Sequence, residues 1–273
     1  MLQSRFLLNC AIQMKKMSSN ALCSRLNGRV AIVTASTEGI GFAIAQRLAR
    51  EGAKVVVSSR KEKNVEKAVN ELKKEGLNVT GVVCHVSKAE DRRKLFMESE
   101  KLGGLDILVS NAAVNPEIGG VLDASETAWD KIFDVNVKSS FLLAKEALPQ
   151  IRKSKFGRIV FVSSIAAYAP LDVLGAYSVS KTALLGLTKA AANQLATENI
   201  TVNCVAPGVV QTKFASTLTE SEATREEVLK RIPLGRLGVP DDISGIVALL
   251  VSDDGSYITG ETIVAAGGMI SHL

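Results

Sequence analysis

The sequence predicts an α/β fold: a single domain with a seven-stranded parallel sheet and helices on both faces. Short apolar runs alternate with longer helical stretches, which is the pattern of parallel strands joined by helical crossovers. A length of 273 residues with 47% hydrophobic residues suits one such domain, and no linker or repeat divides the sequence. The predicted strands are, in chain order, VAIVTA, AKVVVSS, VTGVVCHV, LDILVSNAA, GRIVFVSS, ITVNCVAPG and ETIVAAGG.

The first predicted strand leads through a turn of small residues into a helix. The segment from Arg29 reads RVAIVTASTEGIG and continues into FAIAQRLAREG. Small residues let the backbone approach a pyrophosphate, and the free N–H groups of a helix amino terminus attract the anion. This turn predicts the dinucleotide site of a Rossmann fold, with cofactor contacts from Ser36, Thr37, Gly39, Ile40 and Gly41.

The end of the second strand predicts which cofactor is used. An NAD-specific fold needs an acidic residue there for the ribose 2′-hydroxyl, whereas this strand ends in Ser59 and Arg60. A guanidinium suits a phosphate, and Lys61 and Asn64 follow it. The alternative is that Arg60 and Lys61 belong to a solvated loop. The sequence therefore predicts NADPH rather than NADH.

A tyrosine and a lysine lie four residues apart in a later segment that is predicted to be helical. Tyr177 and Lys181 occur in YSVSKTALLGLTKAAANQLA, so they share one helix face. An adjacent ammonium favours the phenolate, and we expect Lys181 to lower the pKa of Tyr177 for proton transfer. The preceding strand, RIVFVSS, ends at Ser164, at the sheet edge where α/β folds bind ligands. A YxxxK spacing alone also arises by chance in helices.

These segments together resemble the short-chain dehydrogenase/reductase family from about Leu26 to Met269. The family pattern is TGxxxGIG, NNAG, an asparagine, a serine and YxxxK. The corresponding segments here are TASTEGIG at 34–41, SNAA at 110–113, Asn136 within DVNVKSS, Ser164, and YSVSK at 177–181. NCVAPGVVQT at 203–212 resembles the loop that covers the cofactor in the family, and YITGE at 257–261 resembles its final strand.

The resemblance implies a catalytic set of four residues. Ser164 and Tyr177 would contact the substrate, Ser164 by holding a carbonyl oxygen and Tyr177 by protonating it. Lys181 would also bind the nicotinamide ribose, and Asn136 would anchor a water linked to Lys181. The resemblance further implies a homotetramer and cofactor contacts from Asn111, Ala112, Ala113, Pro207, Gly208, Val210 and Thr212.

Three positions depart from the family pattern. Ala35 replaces the first glycine, and we expect an altered turn that still binds the cofactor. Ser110 replaces the first asparagine of NNAG, and His85 with Val86 stands where many relatives carry an aspartate facing the adenine. His85 could hydrogen-bond the adenine or cap a strand. With these departures the chain resembles most closely the peroxisomal NADPH-dependent carbonyl and retinal reductases of the family.

The predicted activity is the NADPH-dependent reduction of a small carbonyl compound. Phe214 and Leu218, with Ile165, Val114 and Leu171, suggest a partly apolar pocket suited to aromatic ketones, α-dicarbonyls, retinal or steroid ketones. A 3-oxoacyl thioester reductase and a steroid or retinol dehydrogenase acting in the oxidative direction are alternatives. A catalytically idle NADPH-binding sensor or scaffold is an alternative from another class.

Charge and cysteine content argue against other classes of function. All five net positive charges lie before Glu38, so the remaining chain has no basic bias toward nucleic acid. Four cysteines and two histidines form no metal-binding pattern, and we expect no metal site and no disulfide framework. No stretch reaches the length of apolar residues that a membrane span requires.

The two ends of the chain bear on its location. Residues 1–25 form a basic tail or transit segment, and translation could instead begin at Met14 or Met17. The enzyme domain is predicted at 26–270. Ser271-His272-Leu273 resembles the Ser-Lys-Leu address that the peroxisomal import receptor binds. We expect a peroxisomal protein, with cytoplasm or mitochondrion as alternatives.

Overall fold

The computed structural model describes residues 24–213 and 222–269. Within them lie seven strands: β1 (Val30–Val33), β2 (Lys54–Ser59), β3 (Val79–Val83), β4 (Ile107–Ser110), β5 (Arg158–Val162), β6 (Thr201–Pro207) and β7 (Thr262–Ala265). They form one all-parallel sheet with the strand order β3-β2-β1-β4-β5-β6-β7, which confirms the predicted Rossmann-type α/β fold.

The central strands are buried on both faces, as their continuous apolar sequences require. Every residue of β1, β4, β5 and β6 is buried. Ala31 of β1 pairs with Val55 on one side and with Ile107 on the other, which fixes the register at the centre of the sheet. The chain runs outward from β1 to β3 and then returns to β4, so the strand order reverses between β1 and β4. Open α/β sheets bind ligands at such a reversal.

Helices cover both faces of the sheet and produce two apolar cores. The first core contains residues of α1, α2 and α8, and the second contains residues of α3, α5 and α6. The helices are α1 (Gly39–Arg50), α2 (Glu62–Lys74), α3 (Ala89–Leu102), α4 (Glu126–Ile132), α5 (Ser139–Ile151), α6 (Gly175–Leu195), α7 (Glu222–Lys230) and α8 (Pro240–Val251).

Short irregular turns complete the described chain. A π-helical segment, Phe133–Lys138, joins α4 to α5. Such widened turns displace backbone and side chains from the regular helical path and are frequent near functional sites. Single 3₁₀ turns lie at Val121–Asp123, Ile165–Ala167, Ala196–Glu198 and Asp253–Gly255.

Candidate active site

Two adjoining cavities open at the carboxyl edge of the sheet. The larger, here called the tyrosine cavity, has a volume of 510 Å³ and is lined by Tyr177, Lys181 and Ser164. The smaller, called the arginine cavity, has a volume of 280 Å³ and is lined by Arg60 and its neighbours. Ala35, Glu38 and Ala113 line both cavities, so they meet at the turn between β1 and α1.

The turn before α1 has a tightly bent backbone. Gly39 adopts φ 58°, and Ala35 adopts φ 49° although its side chain disfavours this left-handed conformation. Ala35 therefore holds a backbone conformation that glycine adopts more readily, and the altered turn that still binds the cofactor stays a prediction. A Cβ on Gly41 would collide with the carbonyl oxygen of Ala35 and the side chain of Asn111. Only glycine lets the helix start this close to the turn.

The residues predicted for this turn divide into lining and supporting groups. Thr37 lines the arginine cavity, while Gly39, Ile40 and Gly41 line the tyrosine cavity. Ser36 is different, because its buried hydroxyl donates to the oxygen of Val33 at 2.6 Å and accepts from the N–H of Ser58 at 3.0 Å. The Ser36 side chain thus ties the turn to β2 and lies outside the cavity lining.

A buried threonine connects the turn to the segment after β4. Oγ1 of Thr34 accepts hydrogen bonds from the N–H groups of Asn111 at 2.9 Å and Ala112 at 3.1 Å. The Asn111 side chain donates to the oxygens of Thr34 at 3.0 Å and Ala35 at 3.1 Å. Asn111 and Ala113 line the tyrosine cavity, and Ala112 and Ala113 line the arginine cavity. Thr34 therefore holds the predicted SNAA segment beside the turn.

The end of β2 brings polar and basic side chains to the arginine cavity. Ser59, Arg60, Lys61 and Asn64 line it, and their contact with the cofactor stays a prediction. Arg60, Lys61 and Asn64 are exposed. Neither cation forms an ion pair with any residue that the structure describes.

His85 and Val86 also line the arginine cavity, two and three residues after β3 ends. The backbone N–H of His85 donates to the carboxylate of Asp91 at 3.0 Å. The ring Nδ1 of His85 accepts a hydrogen bond from the backbone N–H of Ser87 at 3.3 Å. Burial, followed by the charges of Lys131 and Arg60, lowers the pKa of His85. A neutral imidazole therefore both closes the turn after β3 and faces the cavity.

Tyr177 and Ser164 meet in the tyrosine cavity. Tyr177 lies in the first turn of α6. Ser164 lies two residues after β5 ends and accepts a hydrogen bond from the N–H of Ala166 at 3.2 Å. Their side chains are hydrogen-bonded to each other. Burial raises the pKa of Tyr177 above its usual value, and the bond to Ser164 is the interaction that lowers it. The hydroxyl is thus protonated at neutral pH.

Lys181 lies one helical turn beyond Tyr177 and is only 2% exposed. Its Nζ donates to the carbonyl oxygen of Val162 at 2.8 Å and lies 5.5 Å from the centre of the Tyr177 ring. Burial lowers the pKa of Lys181 to about 8. We expected Lys181 to lower the pKa of Tyr177, but burial dominates the tyrosine, and the ammonium instead contacts β5.

Asn136 does not line either cavity. It lies fully buried in the π-helical segment, where its side chain exchanges two hydrogen bonds with the backbone of Val114, at 2.8 and 3.0 Å. It also donates to Oγ of Ser180 at 3.0 Å. Asn136 therefore connects the segment after β4 to α6, next to Lys181 in the chain. Ser110, the substitute for the first asparagine of the family pattern, donates to Ser140 at 3.0 Å in the same buried region.

The loop after β6 closes the other side of the tyrosine cavity. Pro207, Gly208, Val210 and Thr212 line it, and the cofactor contacts that the resemblance implies for them stay a prediction. Of the predicted substrate residues, Ile165 and Leu171 line the tyrosine cavity and Val114 lines the arginine cavity. Phe214 and Leu218 lie outside the described residues, as does Ser271-His272-Leu273.

Two charged residues that line the cavities were not predicted from the sequence. Glu38 lines both cavities, and Lys213 lines the tyrosine cavity. Their side chains form an ion pair of 2.6 Å although they are 175 positions apart in the chain. The only sequence signal for this pair was an acidic residue inside a predicted anion-binding turn.

The two described cysteines are inert packing groups. Cys84 and Cys204 are buried free thiols, and burial raises their pKa to about 12 and about 11, respectively. Within residues 24–213 and 222–269, no cluster of His, Cys, Asp or Glu is arranged to hold a metal ion. In the same ranges no helix combines the length and apolar character needed to cross a membrane.

Comparison with known proteins identifies the family. A family model described as enoyl-(acyl carrier protein) reductase matches residues 34–270. Relatives named dehydrogenase/reductase SDR family member 4 are 56% identical in Bos taurus and 53% identical in Homo sapiens, over 261 residues and 94% of both sequences. The chain belongs to the short-chain dehydrogenase/reductase family, a family of oxidoreductases with nicotinamide cofactors.

Within the family, these matches confirm the resemblance to the subgroup predicted from the sequence. A plant relative, tropinone reductase-like 3 from Erythroxylum coca, is 51% identical over 95% of this chain and 100% of its own length. A provisionally assigned short-chain alcohol dehydrogenase from Sinorhizobium meliloti superposes with a TM-score of 0.85 at 35% identity, covering 90% of this chain and 98% of that structure. A provisionally assigned gluconate dehydrogenase from Agrobacterium tumefaciens gives 0.87 at 28% identity, covering 92% and 99%.

Proposed function

We propose that this protein reduces small carbonyl compounds to alcohols with NADPH. The observation that carries the proposal is the group formed by Tyr177, Ser164 and Lys181 at the carboxyl edge of the sheet. A protonated tyrosine is hydrogen-bonded to a serine in an open cavity, and a buried lysine lies directly behind the ring. This arrangement offers two hydroxyl groups to one oxygen atom of a substrate.

The residues of the two cavities suit a nicotinamide dinucleotide phosphate. The helix amino terminus at Gly39 opens at the junction of the cavities, where a pyrophosphate would find unpaired N–H groups. Arg60 and Lys61 line the arginine cavity but not the tyrosine cavity, and their charges suit a 2′-phosphate. The Asn111–Ala113 segment and His85 with Val86 would face the adenosine, and the loop from Pro207 to Thr212 would cover the nicotinamide.

When bound, the cofactor would supply a hydride for the carbonyl carbon. Ser164 and Tyr177 donate hydrogen bonds to the carbonyl oxygen, and Tyr177 transfers its proton to that oxygen as negative charge develops there. The raised pKa of Tyr177 keeps this proton in place at neutral pH. An alkoxide is a much stronger base than a phenolate, so such a tyrosine still protonates it. After this step Tyr177 is a phenolate, and it regains a proton from solvent.

Lys181 supports the phenolate that Tyr177 becomes in this step. Its ammonium lies near the ring and in a low-dielectric site, where its attraction to a phenolate is strong. Lys181 would also bind the nicotinamide ribose. Asn136 acts by position: its three side-chain hydrogen bonds hold the π-helical segment against α6. It is also proposed to anchor a water linked to Lys181.

The preference for NADPH rests on charge at the arginine cavity. No acidic side chain follows β2 at the place where an NAD-specific fold would hold the ribose hydroxyl. Arg60 and Lys61 remain available to a phosphate because neither is engaged by a described acidic residue. A sample with a strong preference for NADH would contradict this assignment.

The substrate is proposed from the apolar wall of the tyrosine cavity. Ile165, Leu171 and Leu174 line it beside Tyr177 and Ser164, which suits aromatic ketones, α-dicarbonyls, retinal or steroid ketones. A 3-oxoacyl thioester reductase is a second candidate because the matching family model is described as an acyl-carrier-protein enzyme. A dehydrogenase that acts in the oxidative direction and an NADPH sensor without catalysis are further alternatives with the same cofactor site. Measurements of turnover distinguish them from a carbonyl reductase.

The test measures the oxidation of NADPH, and separately of NADH, by the purified protein as a loss of cofactor absorbance. The substrates are a panel of these carbonyl compounds and an acetoacetyl thioester. We expect NADPH-dependent turnover of the non-thioester carbonyls, and a large loss of that turnover in Tyr177→Phe. Turnover confined to the thioester would assign the protein to acyl-chain reduction. Tight NADPH binding without turnover of any compound would overturn the enzymatic proposal and favour the sensor.

We also propose a peroxisomal homotetramer. Short-chain dehydrogenases are commonly oligomeric, and exposed apolar side chains on α5 (Phe141, 46% exposed) and α6 (Val179, 40% exposed) support an interface along these long helices. Light scattering would measure the oligomeric state, and a monomer would contradict the proposed tetramer.

The peroxisomal location is proposed from the end of the chain, where the import receptor is expected to bind Ser271-His272-Leu273. Removing these three residues should move a fluorescent fusion from peroxisomes to the cytoplasm, whereas an unchanged pattern would refute the address.

A further inference from the structure

Glu38 and Lys213 fasten the loop after β6 to the turn before α1. Nζ of Lys213 lies 2.6 Å from Oε2 of Glu38, and both side chains reach into solvent, being 85% and 55% exposed. The neighbouring residues also touch, since a Cβ on Gly39 would lie 3.2 Å from the methyl group of Thr212. The ion pair thus bridges the mouth of the cleft where the two cavities meet.

Glu38 lies at an unfavourable place for a protein that binds a pyrophosphate. It immediately precedes α1, and its carboxylate makes no capping bond to the helix. A helix amino terminus attracts negative charge. A carboxylate there therefore competes with a bound phosphate and repels it.

Lys213 provides the opposite charge at the same place. It lines the tyrosine cavity beside Gly39 and Thr212, within the part of the cleft that the proposed function gives to the pyrophosphate. An ammonium on a flexible stem is a suitable phosphate ligand and can change partners without movement of the backbone. Arg60 and Lys61 lie in the arginine cavity and so serve a different phosphate.

We propose that Lys213 binds the cofactor's pyrophosphate and that Glu38 holds Lys213 at the turn until the pyrophosphate takes the carboxylate's place. Glu38 then turns to solvent, where its exposed side chain is already partly hydrated. In this exchange the Glu38 carboxylate weakens cofactor binding and speeds release of the cofactor, whereas the Lys213 ammonium strengthens cofactor binding. This inference rests on the proposed function and names two further residues of the same site.

The test measures binding rather than turnover, from the fluorescence change of NADPH on titration with the protein. Lys213→Gln is expected to raise the dissociation constant about three- to tenfold, because one partly screened charge contact is lost. Glu38→Gln is expected to lower it about twofold, because a repulsive charge is removed. Lys230→Gln is the matched control, since Lys230 forms an equally short exposed pair with Glu227 outside both cavities.

A fragment without the pyrophosphate separates this inference from the proposed function. Adenosine 2′-monophosphate should bind Lys213→Gln and Glu38→Gln as it binds the wild type, and should bind Arg60→Gln more weakly. If Lys213→Gln changes NADPH binding no more than Lys230→Gln does, or if Glu38→Gln weakens it, the inference is overturned. If Arg60→Gln has no effect on either ligand, the proposed 2′-phosphate site fails while the test of Lys213 remains valid.

Discussion

The tyrosine cavity and the arginine cavity are built in different ways. The functional groups of the tyrosine cavity are fixed from behind: Lys181 is bound to β5, and the fully buried Asn136 is bound to both Val114 and Ser180. In the arginine cavity the predicted ligands Arg60, Lys61 and Asn64 are exposed and project from a loop and the first turn of a helix.

The difference matches the work that each cavity is proposed to do. Proton transfer requires groups held within a few tenths of an ångström, and buried hydrogen bonds provide that precision. Recognition of a phosphate tolerates mobile cations, because charge attraction falls slowly with distance. Substitutions in the tyrosine cavity should therefore have large effects on rate and stability, and those in the arginine cavity should have smaller effects confined to cofactor choice.

The largest effect is expected for Tyr177→Phe. Removing the hydroxyl removes the proposed proton donor but leaves the ring, so turnover should fall about a thousandfold, within the usual range for a general acid. The dissociation constant for NADPH should stay within about twofold, since that site is formed largely by other residues. Steady-state rates and a fluorescence titration would measure both. A variant that keeps a tenth of the wild-type rate would rule out this role.

The buried lysine should make stability depend on pH. Because burial lowers the pKa of Lys181 from 10.5 to about 8, the folded state releases a proton in a range where the unfolded state keeps it. The free energy of unfolding, relative to Lys181→Met, should rise between pH 8 and pH 10 by on the order of 2 to 3 kcal/mol. Urea unfolding of both proteins without cofactor would measure this. A constant difference would show that Lys181 keeps its ordinary pKa.

Two asparagines provide a matched comparison of stability. Asn136→Ala leaves the backbone of Val114 without its buried partners and should lower the free energy of unfolding by about 2 kcal/mol. Asn64→Ala removes an exposed side chain and should change it by less than about 0.5 kcal/mol. Chemical denaturation of both variants is the measurement. Equal effects would contradict the contrast between the two cavities.

Arg60→Gln should change cofactor choice without changing chemistry. Losing a charge-assisted contact to the 2′-phosphate should reduce kcat/KM with NADPH about tenfold and leave the value with NADH unchanged. The ratio of the two values would be measured with one carbonyl substrate. A parallel loss with both cofactors would mean that Arg60 supports the fold of the cavity rather than reading the phosphate.

The smallest effect is expected for Ala35→Gly. Glycine would remove the strain of a left-handed alanine, about 1–2 kcal/mol, but would add freedom to the unfolded chain worth about 0.5–1 kcal/mol. The net gain in the free energy of unfolding should lie between about 0 and about 1.5 kcal/mol. Thermal unfolding would detect it, and a clear loss of stability would show that the methyl group makes a favourable contact.

The order of the elements could be predicted from the sequence because each strand is a continuous apolar run and each motif follows its strand directly. The same pattern placed Tyr177, Lys181 and Ser164 on one edge of the sheet. It could not predict the buried state of Asn136, the supporting role of Ser36 or the pKa of Tyr177. These depend on how deeply a side chain is enclosed, which neighbours distant in the chain decide. The pair of Glu38 and Lys213 was missed for the same reason.

Ala35 has a further consequence for how such sites are described. In the sequence pattern TGxxxGIG this position is given as glycine, yet here an alanine adopts the left-handed backbone conformation, with φ 49°. What the bound nucleotide would meet is the path of the backbone and not the identity of the side chain. A search that scores pairs of backbone torsion angles along the turn would find this chain where a search for glycine letters would pass over it.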